Sequence, residues 1–140
     1  LDIWTPPQPS HGPRGHTTPE IVVMISADAI RGYIDLIALT LLRDRPSYAY
    51  ELAKTITEVA QGQYTIKQTT LYSALKRLEA AGLVSSFADT SESGKQRTYY
   101  RLTEAGAAHL NDKLAEWEDT KALIDRFALY APTRPAPAKH

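Results

Sequence analysis

At Gly82 the apolar rhythm of the chain changes, and that change restricts the fold more than any other feature of the sequence. Before it, Leu71, Ala74, Leu75 and Leu78 recur at helical spacing and mark a helix over about residues 68–81, with Gly82 where a left-handed C-terminal cap belongs. After it the period drops to two: Leu83, Ser85 and Phe87 alternate with Val84, Ser86 and Ala88. A second β-type run, 98–102, follows the polar stretch 89–97, so a two-stranded hairpin with a long polar tip is expected. Upstream, residues 28–42 are apolar nearly all round, with Ile30, Ile34, Ile37 and Leu41 on one stripe and Tyr33, Leu36 and Leu39 on another. Such a helix needs cover on two sides. Pro46 ends it, and Ser47 is expected to cap a second helix over 48–60 with Leu52, Ile56 and Val59 turned inward. Thr103 then caps a last helix over about 104–129, roughly 39 Å long at about 1.5 Å per residue. Helix, helix, helix, hairpin, helix is the order of a winged helix-turn-helix. The expected fold class is mainly α with a small β-hairpin and a long C-terminal helix.

The 140 residues suffice for one hydrophobic core. Residues 1–25 are proline-rich at their start and are expected to be a disordered arm, or an extension preceding a native start near Met24. Residues 26–102 form the expected winged helix-turn-helix domain, 103–130 a dimerisation helix, and 131–140 a Pro/Ala-rich flexible tail. Without cysteine there is no thiol nucleophile, disulfide or thiolate metal site, and the four histidines fall in no metal-binding spacing. Acidic neighbours such as Glu118 and Asp119 point about 100° apart on a helix and cannot work as a pair. No catalytic residue, metal or cofactor is expected, and the chain reads as something other than an enzyme. No apolar run is long enough to span a membrane, and a cytoplasmic location is expected.

The formal charges balance overall but not locally. Residues 67–101 carry six bases against three acids, whereas residues 103–129 carry six acids against three bases. A basic segment beside an acidic helix suits a protein that meets a polyanion with one part only. Within the basic segment, Thr69, Tyr72, Ser73, Lys76 and Ala80 share a helix face opposite the leucines, with Arg77 at its edge. Small residues let such a helix enter a DNA major groove, and the longer ones reach base edges or phosphate. The hairpin tip adds Lys95, Gln96 and Arg97 where a wing meets the neighbouring backbone. Tyr50, Tyr64, Tyr99 and Tyr100 read as packing residues, whereas Tyr72 faces away from the core. A winged helix used only as a protein interaction module is the alternative.

Three ordered motifs carry a family resemblance over about residues 28–129. They are the run 47–52 (SYAYEL), the run 70–79 (TLYSALKRLE) followed by Gly82-Leu83, and the run 94–106 (GKQRTYYRLTEAG). Together they resemble the PadR family of transcriptional regulators, in particular its short-tailed subgroup with one helix after the wing. Ser73 stands where the family usually has proline. The resemblance implies a dimeric repressor that binds double-stranded operator DNA. It further implies that Tyr48 and Lys67 face phosphate, that Thr70, Tyr72, Ser73, Lys76 and Arg77 enter the groove, and that Lys95 and Arg97 hold the wing to the backbone.

A homodimer is also expected from the residues themselves. Leu110, Leu114, Trp117, Ile124 and Ala128 form a seam along the last helix, interrupted by Lys121. The expected partner surface is the first helix of a second copy, Ile30 included. The intramolecular alternative has the long helix folding back on its own domain. A twofold dimer would read half-sites about one helical turn, roughly 34 Å, apart. Some short-tailed PadR members bind planar drugs between a pair of tryptophans, and Trp117 matches that position by spacing. The resemblance therefore implies a planar aromatic effector at Trp117, lined by Ala29, Gly32, Tyr33 and Leu36. Lys121, one turn on, turns the expected ligand toward neutral or anionic aromatics.

Overall fold

The computed structural model describes residues 23–132. The expected arm over 1–25 and tail over 131–140 therefore lie almost wholly outside the described residues. The elements are α1 (Ala27–Ile30), a 3-10 turn (Arg31–Tyr33), α2 (Ile34–Asp44), β1 (Ser47–Tyr48), α3 (Ala49–Val59), α4 (Gln68–Ala80), β2 (Val84–Thr90), β3 (Gln96–Leu102) and α5 (Glu104–Ala128). The fold is mainly α with a small antiparallel sheet, in winged-helix order with a long last helix.

The core forms where the inner faces of α2, α3 and α4 meet the sheet. Ala38, Leu39, Leu42, Leu52, Ile56, Leu71, Leu75, Leu78, Val84, Tyr100 and Leu110 pack there as one buried cluster. Within α4 the buried positions are Leu71, Ala74, Leu75 and Leu78, the stripe that helical spacing dictates. The helix ends at Ala80, and Gly82 takes the left-handed conformation (φ 78°) that lets the Leu83 amide return to the Leu78 carbonyl at 3.0 Å.

Four local features differ from the sequence expectation. First, the opening helix is broken: α1 gives way to a 3-10 turn through Gly32, and Tyr33 precedes α2 with a non-helical backbone (φ −117°, ψ 3°). Glycine weakens helix continuity by about 1 kcal/mol, and the Tyr33 ring is drawn edge-on to Trp117, with centroids 5.1 Å apart. Second, Ser47 is not a helix cap but half of the short strand β1, paired with Tyr100, and its hydroxyl donates to Glu51 Oε1 at 2.5 Å. The sheet thus has three strands in the order β1-β3-β2. Third, the ladder runs out to Thr90 opposite Gln96, so the wing tip is only the turn 91–95, closed by Ser91 and Lys95 and by Gly94 at φ 86°. Arg97, expected at the tip, sits in the ladder opposite Asp89. Fourth, Val59 and Tyr50 are exposed rather than packed.

The start of α5 is tied into the head of the molecule. Thr103 Oγ1 donates to the Gly82 carbonyl at 2.7 Å and accepts from the Gly106 amide at 2.9 Å, while the Thr103 amide reaches the Leu83 carbonyl at 3.1 Å. Gly106 is buried against that segment so closely that a Cβ there would overlap the Leu83 carbonyl oxygen. One hydroxyl and one missing side chain lock the end of α4, the wing and α5 together.

Candidate nucleic-acid interface

The outer face of α4 follows from its inner one. With the leucines turned inward, Gln68, Thr69, Thr70, Tyr72, Ser73, Lys76 and Arg77 are all exposed, and Lys67 stands exposed at the N-cap. Lys76 Nζ lies 5.4 Å from the centre of the Tyr72 ring, so cation and phenol share one patch. Beside this helix the wing supplies a second basic element. Lys95 is exposed in the turn, whereas Arg97 is half-buried with its guanidinium 4.9 Å from the Tyr48 ring centre. Tyr48 in turn meets Tyr99 edge-on at 5.2 Å. The structure thus brings Tyr48 and Arg97 together, although they are far apart in sequence. The two sequence-assigned groups, α4 and the wing, are held by a shared strut: Ser86 Oγ of β2 donates to Glu79 Oε2 of α4 at 2.6 Å.

Behind the exposed Tyr72, the ring of Tyr100 is buried, and its hydroxyl has no hydrogen-bond partner of good geometry among the described residues. Burial above all, with Tyr72 and Glu79 nearby, pushes the Tyr100 phenol up to about 12. It stays protonated at physiological pH and serves as floor to the reading helix rather than as part of its surface. Arg97 Nε is likewise buried without a partner. An exposed helix of hydroxyls, a phenol and cations beside a basic turn presents donors for phosphate and for base edges together.

Comparison with known proteins agrees with this geometry. Residues 38–112, from α2 through the wing into α5, match the Transcriptional regulator PadR-like family. This chain belongs to the PadR-like family. A transcriptional regulator from Clostridium thermocellum is similar at 46% identity, with 74% of this chain and 98% of that chain covered and a TM-score of 0.67. A PadR family transcription regulator from Clostridium difficile is 35% identical over 69% of this chain and 99% of its own, with a TM-score of 0.62. An uncharacterized protein from Lysinibacillus sphaericus is 37% identical over 105 residues, 74% of this chain and 95% of its own length. PadR-like proteins are DNA-binding transcriptional regulators rather than enzymes, and so is this one. None of the helices among the described residues is long and apolar enough to cross a membrane.

The long helix of this PadR-like chain behaves differently along its length. Leu110, expected in a seam between two copies, is instead buried in its own domain's core at 1% exposure, and Leu114 and Ile30 pack against that core. The reason is the tether at Gly106, which lays the first turns of α5 against α2. Ile124, by contrast, is 57% exposed, and Leu123, Phe127, Leu129 and Tyr130 are exposed with it.

Between α1–α2 and α5 runs a groove of about 530 Å³. Ala29, Gly32, Tyr33, Leu36 and Trp117, the residues assigned to an effector, all line it. Lys121 does not: it lies 5.6 Å from the Trp117 ring centre and is bonded to Glu118 at 3.0 Å. Asp28, Asp35 and Glu116 do line the groove, with Lys113 and His109. Sequence reasoning missed Asp35, although one signal pointed to it: a carboxylate inside the run Ile34–Leu39, otherwise wholly apolar. In the structure Asp35 Oδ1 accepts from Arg77 Nη2 of α4 at 2.5 Å.

Proposed function

We propose that this PadR-like regulator is a homodimeric repressor acting in the cytoplasm, whose hold on a palindromic operator is changed by a planar aromatic cation bound in the groove between α1–α2 and α5. The observation that carries the reading is the groove itself. Five residues assigned from resemblance and spacing line it, and it abuts α2, which packs against α4. The exposed apolar end of α5 and the residues just after it, from Leu123 to Tyr130, give a second copy a surface to cover. Within the interface, Tyr48 and Lys67 face phosphate, Thr70, Tyr72, Ser73, Lys76 and Arg77 enter the groove of the DNA, and Lys95 and Arg97 hold the wing to the backbone.

On the ligand's charge we infer a cation, where Lys121 alone led the sequence expectation to neutral or anionic aromatics. Three carboxylates line the groove with one lysine and a histidine, whereas Arg31 and Arg77, which pair with Asp28 and Asp35, stand outside the lining, as does Lys121, engaged with Glu118. A delocalised cation suits that lining better than an anion or a neutral ring.

The experiment is a fluorescence titration of the Trp4→Phe chain, in which Trp117 is the remaining tryptophan, alongside operator binding measured over a salt series. N-methylquinolinium quenches Trp117, and naphthoate does not. Lys95→Ala and Arg97→Ala weaken binding to every DNA sequence and flatten the salt dependence, whereas Tyr72→Ala and Lys76→Ala also alter sequence preference. A chain that binds no fragment of the DNA flanking its own gene in a salt-dependent way is instead an interaction module, and one whose Trp117 ignores cationic, neutral and anionic rings alike (N-methylquinolinium, quinoline and naphthoate) has no effector site there.

A further inference from the structure

Asp35 faces two ways. Its carboxylate bonds Arg77 on the reading helix, 42 positions away, and the same residue lines the groove between α2 and α5. Arg77 is outside the groove lining. The remaining ion pairs among the described residues join close sequence neighbours: Asp28 with Arg31, Arg45 with Glu51, Lys113 with Glu116, and Glu118 with Lys121. The other two groove carboxylates, Asp28 and Glu116, are thus matched by cations of their own segment. Asp35 alone among the groove carboxylates draws its counter-charge from α4.

Stability does not account for this pair. The Arg77 and Asp35 side chains are 61% and 43% exposed, and ion pairs that wet contribute little to folding. What the bond does fix is the direction of a guanidinium. One Nη is committed to Asp35, which leaves the rest of the N–H fork of Arg77 on the exposed face of α4, next to Lys76. A free arginine samples many rotamers, and one pinned at a single nitrogen offers its remaining donors from a defined place.

We infer that Asp35 is a positioning residue for Arg77, and that a cation entering the groove competes for the Asp35 carboxylate and loosens the arginine from its DNA-reading position. The inference rests on the groove reading above and adds how occupancy reaches the DNA. It needs no movement of a domain: one carboxylate has two claimants, and each weakens the other. Coupling of this kind is reciprocal, so removing Arg77 must strengthen the groove's hold on a cation even when no DNA is present. A neutral ring makes no claim on the carboxylate and feels neither effect.

The test uses the full chain with Trp4→Phe and reads Trp117 quenching by N-methylquinolinium and by quinoline, which is uncharged at neutral pH. Arg77→Ala, which removes no residue of the groove lining, is expected to tighten N-methylquinolinium about fivefold and to leave quinoline unchanged. Asp35→Asn is expected to lose the preference for the cation, and the double variant to behave like Asp35→Asn, because no carboxylate is left to release. With operator DNA, saturating N-methylquinolinium weakens the parent chain about fivefold and leaves Asp35→Asn and Arg77→Ala, already weakened, without further response. Unchanged cation affinity in Arg77→Ala overturns the inference while the groove reading stands. An equal change for both rings overturns it too, since that reports a general disturbance of the groove. Absence of quenching in the parent chain removes the groove reading itself.

Discussion

The two halves of α5 obey different rules. Its first turns, from Glu104 to Leu114, belong to the head: Gly106 is wedged under Leu83, and Leu110 is as deeply buried as Leu39 of α2. From Lys121 onward every described residue is exposed, although Leu123, Ile124 and Phe127 are as apolar as the residues that fill the core. The same helix therefore begins as a core element and ends as a surface without a partner among the described residues. Apolar character does not by itself decide burial, since a helix stays in the core only as far as the chain folds back to meet it.

That contrast can be broken from either end. The largest effect is expected at the buried side: Leu75→Ala, at a fully buried position of α4, costs about 3 kcal/mol in urea unfolding. A double substitution of Ile124 and Phe127 by glutamate tests the exposed side. It is expected to leave the head folded and, on the proposed homodimer, to reduce the mass in solution from twice the 15.5 kDa of one chain to a single copy, read by light scattering. A head that unfolds with that double variant removes the distinction between the halves. The smallest effect concerns the floor of the reading helix. The Tyr100 phenol has its pKa raised from 10.0 to about 12 in the folded chain, so this residue's contribution to stability is complete below pH 10 and is lost as pH rises toward about 12. Tyr100→Phe is expected to flatten that alkaline fall in a series of thermal melts.

Much of this division was legible in the sequence, because the signals involved are local. The inward stripe of α4, its outward hydroxyls and cations, the cap at Gly82 and the Thr103 start of α5 each follow from spacing within a few residues. The illegible features depend on partners far along the chain. Ser47 reads as a helix cap until Tyr100 is placed beside it to make β1. Arg97 reads as a wing-tip cation until the ladder with Asp89 is drawn and Tyr48 is found beneath its guanidinium. Leu110 satisfies the spacing of an intersubunit seam, and only the close approach at Gly106 assigns it to its own core. Asp35 was visible as a carboxylate out of place, but its meaning waited for Arg77, 42 positions away.

The joint at Thr103 and Gly106 also sets a mechanical ratio. It binds the wing root, the end of the reading helix and the start of α5 through hydrogen bonds of 2.7–3.1 Å and a contact that admits no methyl group. Beyond it the 25-residue helix extends for about 37 Å at about 1.5 Å per residue. A rigid arm of that length pivoting at its base multiplies angle into distance: a tilt of about 5° carries its far end about 3 Å. Run in reverse, a shift of a few ångströms where two such arms met would return to the wing as a rotation of a few degrees, and the glycine at the fulcrum is what keeps that rotation from being absorbed before it arrives.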